Sequence, residues 1–66
     1  MRKTVTVTYK GMSRTRTIAK DRNSRMVAYG IAEVMWAEIA DTPAIFDVTV
    51  KQGTETKNFQ IMLQEG

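Results

Sequence analysis

Five cations, Arg14, Arg16, Lys20, Arg22 and Arg25, fall close together in the chain, and Lys3 and Lys10 precede them. A guanidinium offers paired N–H donors that fit a carboxylate or a phosphate, so such a cluster is equipped to hold an anion. Residues 1–25 contain eight basic side chains against Asp21 alone. Residues 26–66 contain only Lys51 and Lys57 against Glu33, Glu38, Asp41, Asp47, Glu55 and Glu65, and the whole chain carries a net charge of +3. This asymmetry points either to a polyanionic partner or to an assembly in which basic strands meet an acidic half.

Reaction chemistry has little to work with. The chain has neither histidine nor cysteine, so the usual general base, thiol nucleophile and soft metal ligands are missing. No phosphate-cradling glycine loop or serine elbow occurs. Among the carboxylates, Glu33 and Glu38 lie about 140° apart on a helix and Asp47 stands alone in a strand, so neither a catalytic pair nor an oxygen-ligand metal site is expected. We therefore expect a non-enzymatic protein with no cofactor and no metal.

The elements that must position these residues are organised around Asn23–Thr42, the one stretch that reads as a helix. Wound at about 100° per residue, it gathers Val27, Ala28, Ile31, Ala32, Val34, Met35 and Ile39 on a broad apolar arc, with Tyr29 and Trp36 beside it. The arc is wider than one sheet can cover, which suggests a second partner such as a sister subunit. Gly30 and Ala37 add a strip of small residues on which another backbone could lie. Asn23 or Ser24 is the expected N-cap, and Pro43, by disfavouring helical backbone at Thr42, should end the helix near Asp41. Arg22 and Arg25 at the helix start and Glu38 and Asp41 at its end both oppose the helix dipole. Glu38 also falls inside the apolar arc, where pairing with a lysine or arginine would account for it.

Lys3–Tyr9 alternates, with Val5, Val7 and Tyr9 on one side and Thr4, Thr6 and Thr8 on the other, as a half-buried strand does. Lys10-Gly11 turns the chain into Met12–Lys20, whose charge suits a sheet edge. A two-residue turn would set Val7 opposite Arg14 and Val5 opposite Arg16. A three-residue loop would set them opposite Thr15 and Thr17, and it is preferred because it leaves both arginines in water beside Thr6 and Thr8. Ile45–Lys51 and Lys57–Gln64 form a second hairpin, and a four-residue loop sets Val48 opposite Phe59 and Phe46 opposite Ile61. The expected fold is α+β, one domain over residues 1–66. It is a ββαββ chain forming a four-stranded antiparallel sheet with the helix on one face, and a right-handed crossover allows the order 2-1-3-4, which is preferred to 1-2-4-3. Its expected core is Val5, Val7, Tyr9, Ile31, Val34, Met35, Ile39, Phe46, Val48, Val50, Phe59, Ile61 and Leu63.

At 66 residues such a domain is near the size at which a chain needs support, and without disulfides or metal a homodimer is the expected device. Met1-Arg2-Lys3 leads into Thr-Val alternation and no apolar run approaches membrane-spanning length, so a soluble, cytoplasmic protein is expected. Two functions fit. The leading one is a small dimeric regulatory protein that binds duplex nucleic acid through phosphates, using Arg14, Arg16, Lys20, Arg22 and Arg25 with Lys3 and Lys10, in a salt-dependent way. No aromatic interleaves with these cations, so base stacking is not expected. The alternative is a module that inhibits or adapts a larger protein through Tyr29 and Trp36, with Gly30 and Ala37, or through an unpaired sheet edge. In layout the threonine-rich hairpin, the Trp-bearing helix, the Pro-containing turn and the Phe46-Asp47-Val48-Thr49-Val50 strand resemble small virus-encoded inhibitors of host enzymes. That resemblance is architectural and implies only a protein partner.

Overall fold

A computed structural model describes residues 1–65. Strands β1 (Arg2–Tyr9) and β2 (Met12–Ala19) are followed by helix α1 (Ser24–Ile39) and strands β3 (Ala44–Gln52) and β4 (Glu55–Leu63). The strands form one antiparallel sheet in the order β2-β1-β3-β4, the preferred of the two candidate orders and one that a right-handed crossover allows. The central strands β1 and β3 carry the most apolar alternation, and the charged β2 takes an edge.

The first hairpin departs from expectation. Tyr9 pairs with Met12 across a two-residue turn, so Val7 faces Arg14 and Val5 faces Arg16 rather than Thr15 and Thr17. Lys10 and Gly11 adopt φ of 44° and 82°, the doubly left-handed backbone of a turn whose twist matches that of the strands it joins. Glycine takes this conformation freely; lysine does so at a cost. The three-residue loop rests on the premise that a two-residue turn would drive the arginines into the core, and the position of the helix removes that premise. The helix packs over β1, β3 and β4 and stops short of β2, whose residues Ser13–Thr17 are exposed. Arg14 and Arg16 can therefore share the helical side of the sheet and still reach water.

The second hairpin pairs as expected, Val48 with Phe59 and Phe46 with Ile61, and its strands run on until only Gly53-Thr54 remains between Gln52 and Glu55. The helix begins after Asn23, whose side-chain oxygen accepts the Met26 N–H at 3.1 Å, satisfying one of the free amides of the first turn. It ends at Ile39, slightly before the expected Asp41, because Ala40 turns into the left-handed region at φ 57° while its N–H still donates to the Trp36 carbonyl at 2.9 Å. This is a helix-closing conformation that glycine usually supplies. The Thr42–Pro43 bond that follows is cis.

The core lies between helix and sheet. Val5, Val7, Phe46 and Val48 rise from the central strands, Ile61 and Leu63 from β4, Ile18 from the end of β2, and Val27, Ala28, Ala32 and Met35 descend from the helix, with Ala44 beneath. Val34, expected in the core, is 53% exposed, because it sits on the flank turned toward uncovered β2. Tyr9, Ile31, Ile39 and Phe59 are partly buried at the margin. Ala28 and Ala32 instead face the sheet directly, and their small side chains let the helix backbone lie close.

The other side of the sheet is bare. Thr4, Thr6, Thr8, Thr15, Thr17, Thr49, Asn58 and Gln60 share it by register. Thr6 bonds Thr15 at 3.1 Å, Thr49 donates to Asn58 at 2.9 Å and Gln60 donates to Asp47 at 2.9 Å. These cross-strand pairs suit a face turned to water.

Candidate functional site

Because the helix is offset from β2, a gap opens between them. Its walls and floor are Arg14, Thr15 and Arg16 of β2, Arg22 of the preceding turn, and Met26, Val27, Gly30, Ile31 and Val34 of the helix, enclosing about 560 Å³. Met26, Gly30 and Val34 recur every four residues and form one ridge of the helix. Met26 is 73% exposed, a large apolar side chain left in water. A β-carbon added at Gly30 would meet no atom within 4 Å, so no packing within this chain requires a glycine there.

The cations divide among several places. Arg14, which lines the groove, donates from Nη2 to both carboxylate oxygens of Glu38, at 3.0 and 3.1 Å. Arg16 and Arg22 line the groove, and neither they nor Lys20, just beyond β2, has a carboxylate within ion-pair distance among the described residues. Arg25 lies on the opposite flank of the helix, its guanidinium 4.5 Å from the centre of the Phe59 ring. Lys3 sits on the helical side of the sheet opposite Ile18. Lys10 is at the far end, 3.5 Å from Asp41 and over the Tyr9 ring. Of the seven cations singled out in the sequence, Arg14, Arg16 and Arg22 meet in one site.

The four residues considered as a protein contact also separate. Gly30 belongs to the groove. Trp36 and Ala37 line a smaller hollow with Glu33, Ala40, Asp41, Thr42 and Glu65, and the Trp36 indole N–H donates to the Asp41 carbonyl. Tyr29 is exposed and lines neither hollow. At the same end the Tyr9 hydroxyl donates to the Asp41 carboxylate at 2.8 Å. That bond, and then the Lys10 charge, hold the Asp41 carboxyl below the usual carboxylate range, and the bond to Asp41 raises the Tyr9 phenol.

The two acids that oppose the helix dipole thus have local partners: Glu38 has Arg14, and Asp41 has Tyr9 and Lys10. At the helix start, Arg22 has no such ion pair among the described residues. Sequence reasoning missed the groove residues Met26 and Val27 and misplaced Val34. The available signal was the ridge Met26, Gly30, Val34 lying at the rim of the apolar arc, which a wider sheet would have covered. No cluster of metal-ligating side chains occurs among the described residues, and none of their helices is long and apolar enough to cross a membrane. No protein-family model, curated protein or solved structure matches the chain.

Proposed function

We propose that this chain is a non-catalytic binding protein whose groove between β2 and α1 receives an acidic segment of a larger protein, so that it blocks or adapts that partner. The observation that carries this reading is the mixed lining: Arg16 and Arg22, without carboxylate partners among the described residues, share the groove with exposed Met26, Val34 and the bare backbone of Gly30. A polypeptide offers both acids and apolar side chains to such a surface, whereas a phosphate backbone would leave the apolar half without a counterpart. A photoactivatable residue in place of Val34 is expected to form a nuclease-resistant protein adduct in a cell lysate, one that disappears with Arg16→Ser/Arg22→Ser. The same residue in place of Asn58, on the bare side of the sheet, is expected to form none. Equal labelling from both positions would defeat the proposal.

A second reading, duplex nucleic acid held through phosphates, is favoured by the cations Arg16, Lys20 and Arg22, which have no carboxylate within ion-pair distance among the described residues. Each phosphate neutralised would lower the logarithm of affinity by about 0.9 per unit logarithm of salt. Titration of a labelled duplex at two salt concentrations tests it, and a flat response would remove it. A homodimer built through this flank meets an obstacle under either reading. Antiparallel pairing of two β2 strands about Thr15 would set Arg14 of one copy opposite Arg16 of the other, a like-charge juxtaposition that is destabilising.

A further inference from the structure

The binding mode can be read from the hydrogen-bond phase of β2. In a hairpin closed by a two-residue turn the flanking residues exchange both backbone bonds, and bonded and non-bonded pairs alternate from there. Tyr9 and Met12 flank the turn, so Met12, Arg14, Arg16 and Ile18 spend their backbone groups on β1. The Lys20 N–H donating to the Met1 carbonyl at 3.1 Å keeps the same phase at the other end. Ser13, Thr15 and Thr17 therefore direct N–H and C=O away from the sheet. The Ala19 carbonyl, also turned outward, is taken by the Arg22 N–H at 3.0 Å, which marks where the free edge stops.

Resting on the groove reading above, we propose that the partner segment binds as a fifth strand along the outer edge of β2. Strand addition lets main-chain bonds supply affinity while alternate side chains supply selectivity. Residues of the added strand that face the helix would lie beside Arg14 and Arg16 and under the ridge of Met26, Gly30 and Val34. The intervening residues would continue the hydroxyl rows of Thr15 and Thr17. The fitting occupant is an extended segment with acids at inward positions opposite the two arginines, apolar side chains at the inward positions flanking them, and small polar residues facing out. Charge selects this occupant over a second copy, since β2 holds two arginines and no acid. At the opposite edge of the sheet the cation on the helical side is Arg25, which is already stacked on Phe59.

The probe is a blocked peptide of the same 8-residue length as β2, in which threonines alternate with two central glutamates flanked by valines, titrated into isotope-labelled protein at neutral pH. Exchange of the Ser13, Thr15 and Thr17 amides with water is expected to slow by about tenfold or more, while the Arg14 and Arg16 amides, already bonded to β1, keep their rates. A peptide N-methylated at its threonines, whose N–H groups would face β2, is expected to lose this effect. Thr15→Pro, which gives up no backbone bond within the chain and only the exposed side-chain bond to Thr6, is expected to keep the fold by circular dichroism and lose the peptide. Shifts at Gly30 and Val34 without edge protection, or equal binding of the methylated peptide, would overturn strand addition and leave the groove reading standing. No shift at any residue would overturn both. Edge protection that grows with protein concentration alone would assign the edge to a second copy, and shifts produced by a duplex oligonucleotide but not by the peptide would assign it to phosphates; either result refutes the proposal.

Discussion

On the β4 flank of the helix, Arg25 lies across Phe59 and the Trp36 indole is tied to the Asp41 backbone, whereas on the β2 flank Met26, Gly30 and Val34 look across a gap at Arg14 and Arg16. Both flanks combine apolar and cationic residues, yet only one of them is finished. A guanidinium stacked on a ring has its apolar face covered and its edge in water. Arg16 has no such neighbour, and the methionine opposite it stays wet. The difference comes from a single offset, the helix packing over three strands and not four. It teaches that a width of apolar arc says how much surface is to spare without saying on which side.

The contrast can be broken most forcefully on the finished side. Ile61→Ala removes a side chain only 4% exposed and is expected to cost about 2–5 kcal/mol in urea unfolding. Val34→Ala on the open side is expected to stay within about 0.5 kcal/mol of the parent protein; a large loss there would mean that the groove is packed in solution. Gly30→Ala sharpens the point by changing sign. With open space around the added methyl group, helix propensity alone is expected to raise stability by about 0.5–1 kcal/mol. Should that gain be accompanied by lost partner binding, the glycine is kept for the partner's close approach.

Smaller effects separate the cations. Arg25→Ala is expected to cost about 0.5–1 kcal/mol through the lost contact with Phe59. A double-mutant cycle between Arg14 and Glu38, both half exposed, is expected to give a coupling of about 0.2–1 kcal/mol that shrinks in high salt. The smallest effect concerns pH. Asp41 has its carboxyl lowered by the Tyr9 hydrogen bond and the Lys10 charge, so its contribution is present above the range of an unfolded carboxylate and fades as pH falls through its folded value. Tyr9→Phe is expected to flatten that acid limb of the stability profile, and an unchanged profile would show that the bond contributes nothing measurable.

Much of the architecture was legible in the chain. Alternation in Lys3–Tyr9 and Ile45–Lys51 decides both central strands, Asn23 or Ser24 marks the helix start, of which Asn23 is the cap, and the Val48–Phe59 and Phe46–Ile61 facing follows from keeping one side apolar. The register of the first hairpin was not legible, because it turns on Lys10 accepting a left-handed backbone and on the arginines of β2 lying beyond the helix's reach. Both are tertiary facts. The site was half legible for the same reason: Arg14, Arg16 and Arg22 stood out by type, but sequence proximity also swept in Arg25 and Lys10, which the fold sends to other places. The pairing of Glu38 with an arginine was foreseen in kind, and only the sheet's register names Arg14.

Ala28, Ala32 and Ala44 are fully buried between helix and sheet, and this has a use beyond stability. They act as thin spacers, so the depth of the cleft beside Arg16 is fixed from inside the molecule. Thickening any one of them by a methylene or two would raise the helix and change the shape of the cleft with every lining residue left untouched.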